Sequence, residues 1–429
     1  MASTYLSRNT WGTATNDKIF TMSVWVKRSG LGYQQIVNSY DGSTGNDNQL
    51  KFQSTDAIEL TVSTSGAEYF LKTNRLFRDT SAWYHIVFAF DSTQATSSDR
   101  YKLYVNGTQE TSFSSVSYPP QNTTYQFFRN SNANNIGSQF GASGGFFNGS
   151  MSHFHFIDGT AYDATAFGEC DANGVWTIKT SPSVTYGTNG FFILKNGNSV
   201  TDQSGNGNNF TVGGGTLTNT EDSPSNVFAT LNPLMAGLTS VTYSNGNTTA
   251  TFGAPSTWYF TPSTLAASQG KYYAEVKVGA VGTETSIGII PMETVAAQQG
   301  AASDYMGKES DSIGYVNNGQ LYKTNSVQET TSTYTTGDII GMAFDLTGNS
   351  IQFYKNGSSV GSAITLTSGL NYTVGVSGYN SSSCNVNFGN GYFGTTAVAS
   401  AGTNASGIGI FEYDVPTGYT ALSTKGLNL

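Results

Sequence analysis

The sequence predicts an all-β protein: two tandem jelly-roll β-sandwiches with antiparallel sheets. Three observations predict it. Short segments of alternating apolar and polar residues recur along the whole chain, bounded by Gly, Asn and Asp. Two of the clearest end in Asn-Gly, the strongest short hairpin signal. Sustained helical periodicity is missing; Ala296–Ala302 comes nearest and is interrupted by Gly300. Parallel strands need long crossovers, usually helices, so turn-bounded short strands imply antiparallel sheets.

With 429 residues the chain exceeds one core and suits two domains. Fifty glycines and 11% charged residues describe turn-rich structure, and 13% aromatic residues argue against disorder. The net charge is −9 with 19 Lys and Arg and no basic run, which argues against nucleic-acid binding. No apolar run approaches a membrane span, so no membrane insertion is expected. The start MASTYLSRNTWG lacks the regions of a signal peptide, and synthesis in a cytoplasm is expected. Cys170 and Cys384 fall in different predicted domains and read as two reduced, buried thiols. The Asn-x-Ser/Thr triplets are read as turns.

In chain order, residues 19–28 alternate Met22, Val24 and Val26 against Ser23, Trp25 and Lys27. Strands follow at Gln34–Asn38, Gln49–Phe52, Ala57–Ser63 and Glu68–Lys72, with the loop Tyr40–Asn48 among them. The hairpin Trp83–Gly107 sets Ile86, Phe88 and Phe90 on one face. Tyr118–Asn135, with Pro119-Pro120, reads as a long surface loop. In Gly145–Tyr162, Met151, His153 and His155 alternate with Ser152, Phe154 and Phe156. Tyr186–Leu194 is a late strand. The first domain is placed at 1–215, a linker at 216–240, and a second domain at 241–429 including a C-terminal returning segment. There, Lys271–Val278 puts Tyr272, Ala274, Val276 and Val278 on one face. Gly337–Gly361 forms a hairpin with Ile340, Met342, Phe344 and Phe353 as core.

These stretches carry resemblances. Phe20–Lys27, Trp83–Asp91, Lys102–Gly107 and Phe147–Asp158 resemble the laminin-G/concanavalin A-like lectin family. Gly270–Val278, Ser286–Ile290, Ser312–Gly319, Gly337–Asp345, Ile351–Gly357 and Val386–Gly389 resemble a SPRY domain, another concanavalin-like sandwich. Tyr5–Arg8, Trp25–Arg28, Tyr186–Phe192, Asp202–Phe210, Asp222–Leu234 and Tyr413–Leu422 are similar to virion appendage proteins of marine tailed bacteriophages. That last resemblance implies a virion location, partners among other virion structural proteins, host-surface contact and, from phage symmetry, a homo-oligomer.

The chemistry points to binding. Concanavalin-like glycanases carry two carboxylates in a Glu-x-Asp-x-x-Glu strand, which the sequence lacks; Glu59, Glu68, Glu110, Glu169, Glu275 and Glu412 are scattered. His153 and His155 read as a satisfied pair on a sheet face rather than a zinc site. The laminin-G resemblance implies Ca2+ at a loop rim, for which Asp41, Asp47 and Asn48 are the candidates. Loops on a rigid scaffold carry recognition. Tyr40, Tyr125 and Tyr305 are the stacking candidates for a glycan, with Asn122 and Asn380 as hydrogen-bonding candidates. The SPRY resemblance adds partner-binding loops at Gln298–Asp311 and Tyr379–Ser383. The expected function is a non-enzymatic tail-fibre, tail-tip or capsid-surface component that binds host-surface glycan or protein. The rivals are a polysaccharide-degrading enzyme and a purely architectural capsid decoration protein.

Overall fold

The computed structural model describes residues 3–42, 46–130, 132–195, 200–235, 240–253, 257–297 and 304–429. It divides into two compact units, Met1–Asn219 and Thr220–Leu429. Each is a sandwich of an eight-stranded and a six-stranded sheet. Among the described residues every pairing between named strands is antiparallel except one, Thr420–Ala421 against Lys271–Ala280.

In the first unit the large sheet runs from the edge strand Phe113–Ser117 through Ala67–Leu76, Ala57–Thr64, Asp47–Phe52, Gln34–Tyr40, Ala133–Ile136 and Tyr5–Ser7 to Thr211–Gly214. The facing sheet centres on Ile19–Arg28, between Gly149–Asp158 and Tyr84–Asp91. Period-2 alternation aims Met22, Val24, Val26, Ile86, Phe88 and Phe90 into the core between the sheets, all fully buried. Asn106-Gly107 turns with φ of 48° and 80°, and Asn356-Gly357 with 49° and 81°. Two successive positive φ values make the tight hairpin turn that Asn-Gly favours.

Two expectations for this unit change. Tyr118–Asn135 is not simply a surface loop: Ala133–Ile136 is an inner strand, and Tyr125, Phe127 and Phe128 are buried in the core. The alternation of Gly149–Asp158 is broken by a bulge between Ser152 and His155, with His153 at φ 48°. One extra residue reverses the faces beyond it, so Met151 packs with Phe154 and Phe156 against the core.

In the second unit the large sheet orders Val241–Ser244, Thr249–Phe252, Ser383–Asn387, Lys271–Ala280, Ile339–Asp345, Ser350–Lys355 and Ser358–Thr365, with the eighth strand, Thr420–Ala421, paired to Lys271–Ala280 off this path. The small sheet orders Trp258–Ala267, Tyr372–Tyr379, Glu284–Pro291, Ile313–Val316, Gln320–Lys323 and Ser326–Thr330. Tyr272, Ala274, Val276, Val278, Ile340, Met342, Phe344 and Phe353 all lie in the core between them. Residues placed in a linker belong to this unit: Phe228, Ala229 and Leu231 are buried, and Ala229 N–H donates to Leu422. Among the described residues the α-helix is Met292–Ala297, which takes in Ala296 and Ala297 of the stretch read as nearest to helical; 298–302 of that stretch lie outside the described residues. Cys384 is buried as expected, whereas Cys170 is exposed.

The outer face of the large sheet is also covered. Phe411, Val415 and Ala421 of the C-terminal segment pack with Tyr273 and Ala343. Glu275, fully buried, fixes the segment. Its carboxylate accepts N–H bonds from Glu412 at 2.8 Å and Tyr413 at 2.9 Å, and the Tyr273 hydroxyl at 3.2 Å. Phe344→Ala is expected to cost about 3–5 kcal/mol in denaturant unfolding, because it leaves a cavity between the sheets. Glu275→Gln turns an amide NH2 toward these donors. We expect faster amide exchange over 408–415 and a loss of roughly 1–3 kcal/mol; unchanged exchange there would remove Glu275 from this role.

Candidate functional site

The second unit exposes an aromatic corner at one end of its small sheet. Trp258 stands opposite Tyr379, and Tyr379 opposite Glu284, so the three form one row across adjacent strands. Tyr305 comes from the connection before Ile313–Val316. Its neighbour Met306 is pinned to the sheet at both backbone ends: its N–H donates to Ser377 Oγ at 2.8 Å and its carbonyl accepts from Ser286 Oγ at 2.7 Å. That close approach requires glycine at 314, where a Cβ would lie 1.9 Å from the Met306 carbonyl oxygen.

The Tyr305 ring lies 4.9 Å from Trp258 and 5.9 Å from Tyr322, nearly perpendicular to the latter at 85°. Trp258 is 5.8 Å from Tyr379. Trp258, Glu284, Tyr305, Val316, Asn318 and Tyr322 line a cavity of about 100 Å³. The Tyr305 hydroxyl donates to Asn325 and that of Tyr322 to Gln320. Burial raises the Tyr305 pKa, with Tyr322 nearby; Glu284 and Glu309 add to the rise and Lys308 opposes it. Lys308 is held by Asp304 at 2.7 Å and Glu309 at 3.5 Å. Among the described residues, no cation pairs with Glu284.

Tyr305 therefore reaches a shaped site. Asn380 stays beside it, next to Tyr379, exposed, with its amide donating to Thr283 Oγ1 at 3.0 Å. The sequence does not single out Trp258, Tyr322 and Glu284, because alternation reads them as scaffold. The Trp258-Tyr259-Phe260 aromatic run was the available signal. Residues 298–303 of the Gln298–Asp311 loop lie outside the described residues.

The first unit separates its candidates. Tyr125 is corrected from a stacking surface to core: it is 1% exposed, and its hydroxyl donates to Asp158 at 2.9 Å. Asn122 is an exposed turn residue at φ 67°. Tyr40 packs edge-on to Phe140 at 4.6 Å, and both line a cavity of about 120 Å³ with Asn38, Asp47, Gln139 and Ser143.

The proposed Ca2+ donors do not fit a cation. Asn48 is fully buried, and both ends of its amide bond the Ser63 backbone at 3.2 Å. Asp47 accepts from the side-chain amides of Asn38 and Gln49, and Asp41 from that of Asn46. A hard cation needs several free oxygens converging on one point, and these oxygens already accept amide protons. Residues 43–45 of this loop lie outside the described residues.

All three histidines lie in the first unit. Trp176 Nε1–H donates to His85 Nδ1 at 2.9 Å, so His85 carries its proton on Nε2 and donates to Ser23 Oγ at 2.9 Å. His155 Nδ1 bonds the Tyr186 hydroxyl and His153 Nδ1 bonds Ser152. Among the described residues no group of three His, Cys, Asp or Glu converges as a metal site. Burial lowers the pKa of His85 to about 3 and of His153 to about 4, and holds His155 well below its usual value.

Residues 2–164 match the concanavalin A-like lectin/glucanases superfamily through its laminin-G-type model, and residues 271–391 match the SPRY domain. The chain thus carries a laminin-G-like domain followed by a SPRY domain. Among solved structures it is similar to the SPRY domain of human HERC1: 20% identity over 36% of this chain and 96% of that one, TM-score 0.31. It is similar to a human SPRY domain at 20% identity, over 34% and 94%, TM-score 0.28. The TRIM65 PSpry domain matches at 13% identity over 37% and 88%, TM-score 0.31. None of the curated proteins compared with the chain matches it.

The buried side chains give the two units opposite pH responses. Histidines with lowered folded pKa stabilise the first unit fully above their unfolded value of 6.5 and lose this as pH falls toward 4. The loss is on the order of 1 kcal/mol per histidine per pH unit. Burial pushes Glu275 up to about 7 against its N–H donors, so its contribution is present below pH 4.5 and lost as pH rises through 7. Amide exchange read unit by unit should show the first unit weakening, and the Glu275 strand region strengthening, between pH 7 and pH 4.5. A first unit equally protected at both pH values would contradict the histidine argument.

Proposed function

We propose that this chain is a non-enzymatic recognition protein of a virion appendage. It would serve a tail fibre, tail tip or capsid-surface fibre by binding host-surface glycan or protein. The observation that carries the reading is the aromatic corner of the second unit: rings and a carboxylate gathered on rigid strands, at one end of a sandwich. Loops and strand ends on a packed scaffold are the usual place for recognition. Both matched domain families are built on such scaffolds. The virion setting and the homo-oligomer rest on the resemblance of the motifs to phage appendage proteins.

The carboxylates support binding over glycan cleavage. Glu59 pairs with Lys51, Glu110 with Arg75 and Glu169 with Lys179, while Glu275 is occupied by backbone N–H groups. Asp304 lies 2.7 Å and Glu309 3.5 Å from the same Lys308 ammonium. A retaining glycosidase instead holds its two carboxyl groups about 5–5.5 Å apart across the scissile bond.

Host polysaccharide incubated with the full chain tests the reading. Retention without released reducing ends, reduced at least tenfold by Tyr305→Ala, is the expected result. Release of reducing ends would overturn it in favour of an enzyme. Native mass measurement at micromolar concentration is expected to show an oligomer; a monomer alone would remove the oligomeric part.

A further inference from the structure

The corner has a chemistry more specific than general recognition. Its three lining rings present walls in two nearly perpendicular directions, with Tyr305 at 85° to Tyr322 and Trp258 inclined 34° to Tyr305. A flat platform suits the face of a sugar ring; a corner suits a compact group. The cavity is small, about 100 Å³.

The polar groups of the corner are almost all committed. The Tyr305 and Tyr322 hydroxyl protons go to Asn325 and Gln320. Asn318 gives its amide to Gln320 at 3.1 Å and accepts the Gln320 N–H at 3.0 Å. The nearby Lys308 is held by Asp304 and Glu309. Glu284 remains, a half-buried carboxylate among π faces with no cationic partner among the described residues. Aromatic faces carry negative electrostatic potential and attract cations, and a carboxylate adds to that attraction.

We propose that this corner binds a quaternary ammonium group of the choline type, carried by the ligand that the second unit recognises. The proposal rests on the recognition reading above and names its ligand class. A primary ammonium is less suited. It brings three N–H donors and strong hydration, which ring faces do not replace. A quaternary cation has no N–H to satisfy, and its methyl groups pack directly on rings.

The test is calorimetric titration of the full chain with choline, with uncharged 3,3-dimethylbutanol as its isostere and with the primary ammonium of Nα-acetyl-lysine amide. Choline is expected to bind saturably, at least tenfold tighter than either. Glu284→Gln, which keeps the shape of the side chain, should weaken choline at least tenfold. Tyr305→Ala should do the same, and Val175→Ala, at an exposed position of the first unit, should leave binding unchanged. Equal binding of choline and dimethylbutanol would overturn the proposal in favour of a plain apolar pocket. Equal or tighter binding of the lysine amide would overturn the quaternary assignment. Folded protein that binds no choline, yet retains polysaccharide in a Tyr305-dependent way, would overturn the proposal and leave the recognition reading standing. Loss of both would overturn both.

Discussion

The second unit is organised around a constraint that Glu275 satisfies: its central strands are buried on both faces. A segment laid over the outer face of a sheet brings its own backbone N–H groups into a dry layer, where each needs a partner. The Glu275 carboxylate, aimed outward from the middle of the large sheet, takes the N–H groups of Glu412 and Tyr413. Asn387 on the neighbouring strand takes those of Gly389 and Gly391 and donates to the Ile410 carbonyl. Phe411 and Val415 can then bury their side chains without stranding the backbone between them. The first unit meets the same constraint with Asp158. That carboxylate, 1% exposed, accepts N–H bonds from Thr15 at 2.7 Å and Asn189 at 3.1 Å, and the Tyr125 hydroxyl.

This covering decides where side chains remain free to act. The C-terminal segment takes the outer face of the large sheet. Much of the outer face of the small sheet is taken by the Met292–Ala297 helix and Met306, which pack with Phe260 and Ile290. The row of Trp258, Tyr379 and Glu284 lies at the strand ends beyond that cover. Its spacing is fixed by ladder register rather than by loop conformation, and Met306 fastens Tyr305 to the same sheet. A site held in this way keeps its geometry without a bound ligand.

Much of the scaffold was legible in the sequence. Alternation placed Ile340, Met342, Phe344 and Phe353 in the core, and Asn-Gly located both hairpin turns. Period-2 reading assumes one wet face, however, and long-range covering segments break that assumption. Ala343 and Tyr273 look outward by alternation and are buried all the same. A one-residue bulge leaves no mark in a pattern of faces, so alternation groups Met151 with His153, whereas the fold turns Met151 to the core. Tyr125 and Asn48 share another cause. Both have the composition of a recognition loop, and both are buried by partners distant in sequence, Asp158 and Ser63. Of the site, Tyr305 was legible from its polar loop, while Trp258 and Glu284 depended on a strand register that no local pattern supplies.

The treatment of carboxylates ties these points together. With 11% charged residues, this chain places acids sparingly. Those with buried or half-buried side chains are used as acceptors: Asp56 for Arg28, Arg78 and Gly32, Asp345 for Lys271, Thr347 and Gly348, Asp338 for Lys355, Asn356 and Thr335. Each lies below the usual carboxylate range because its donors outweigh its burial. Against that pattern Glu284 stands apart. It is fixed by register beside Tyr379, with Trp258 on the strand beyond, it lines one cavity with Trp258 and Tyr305, and it fastens no loop among the described residues. A half-buried charge without a structural task costs stability, and the binding role proposed for the corner would give that cost a use.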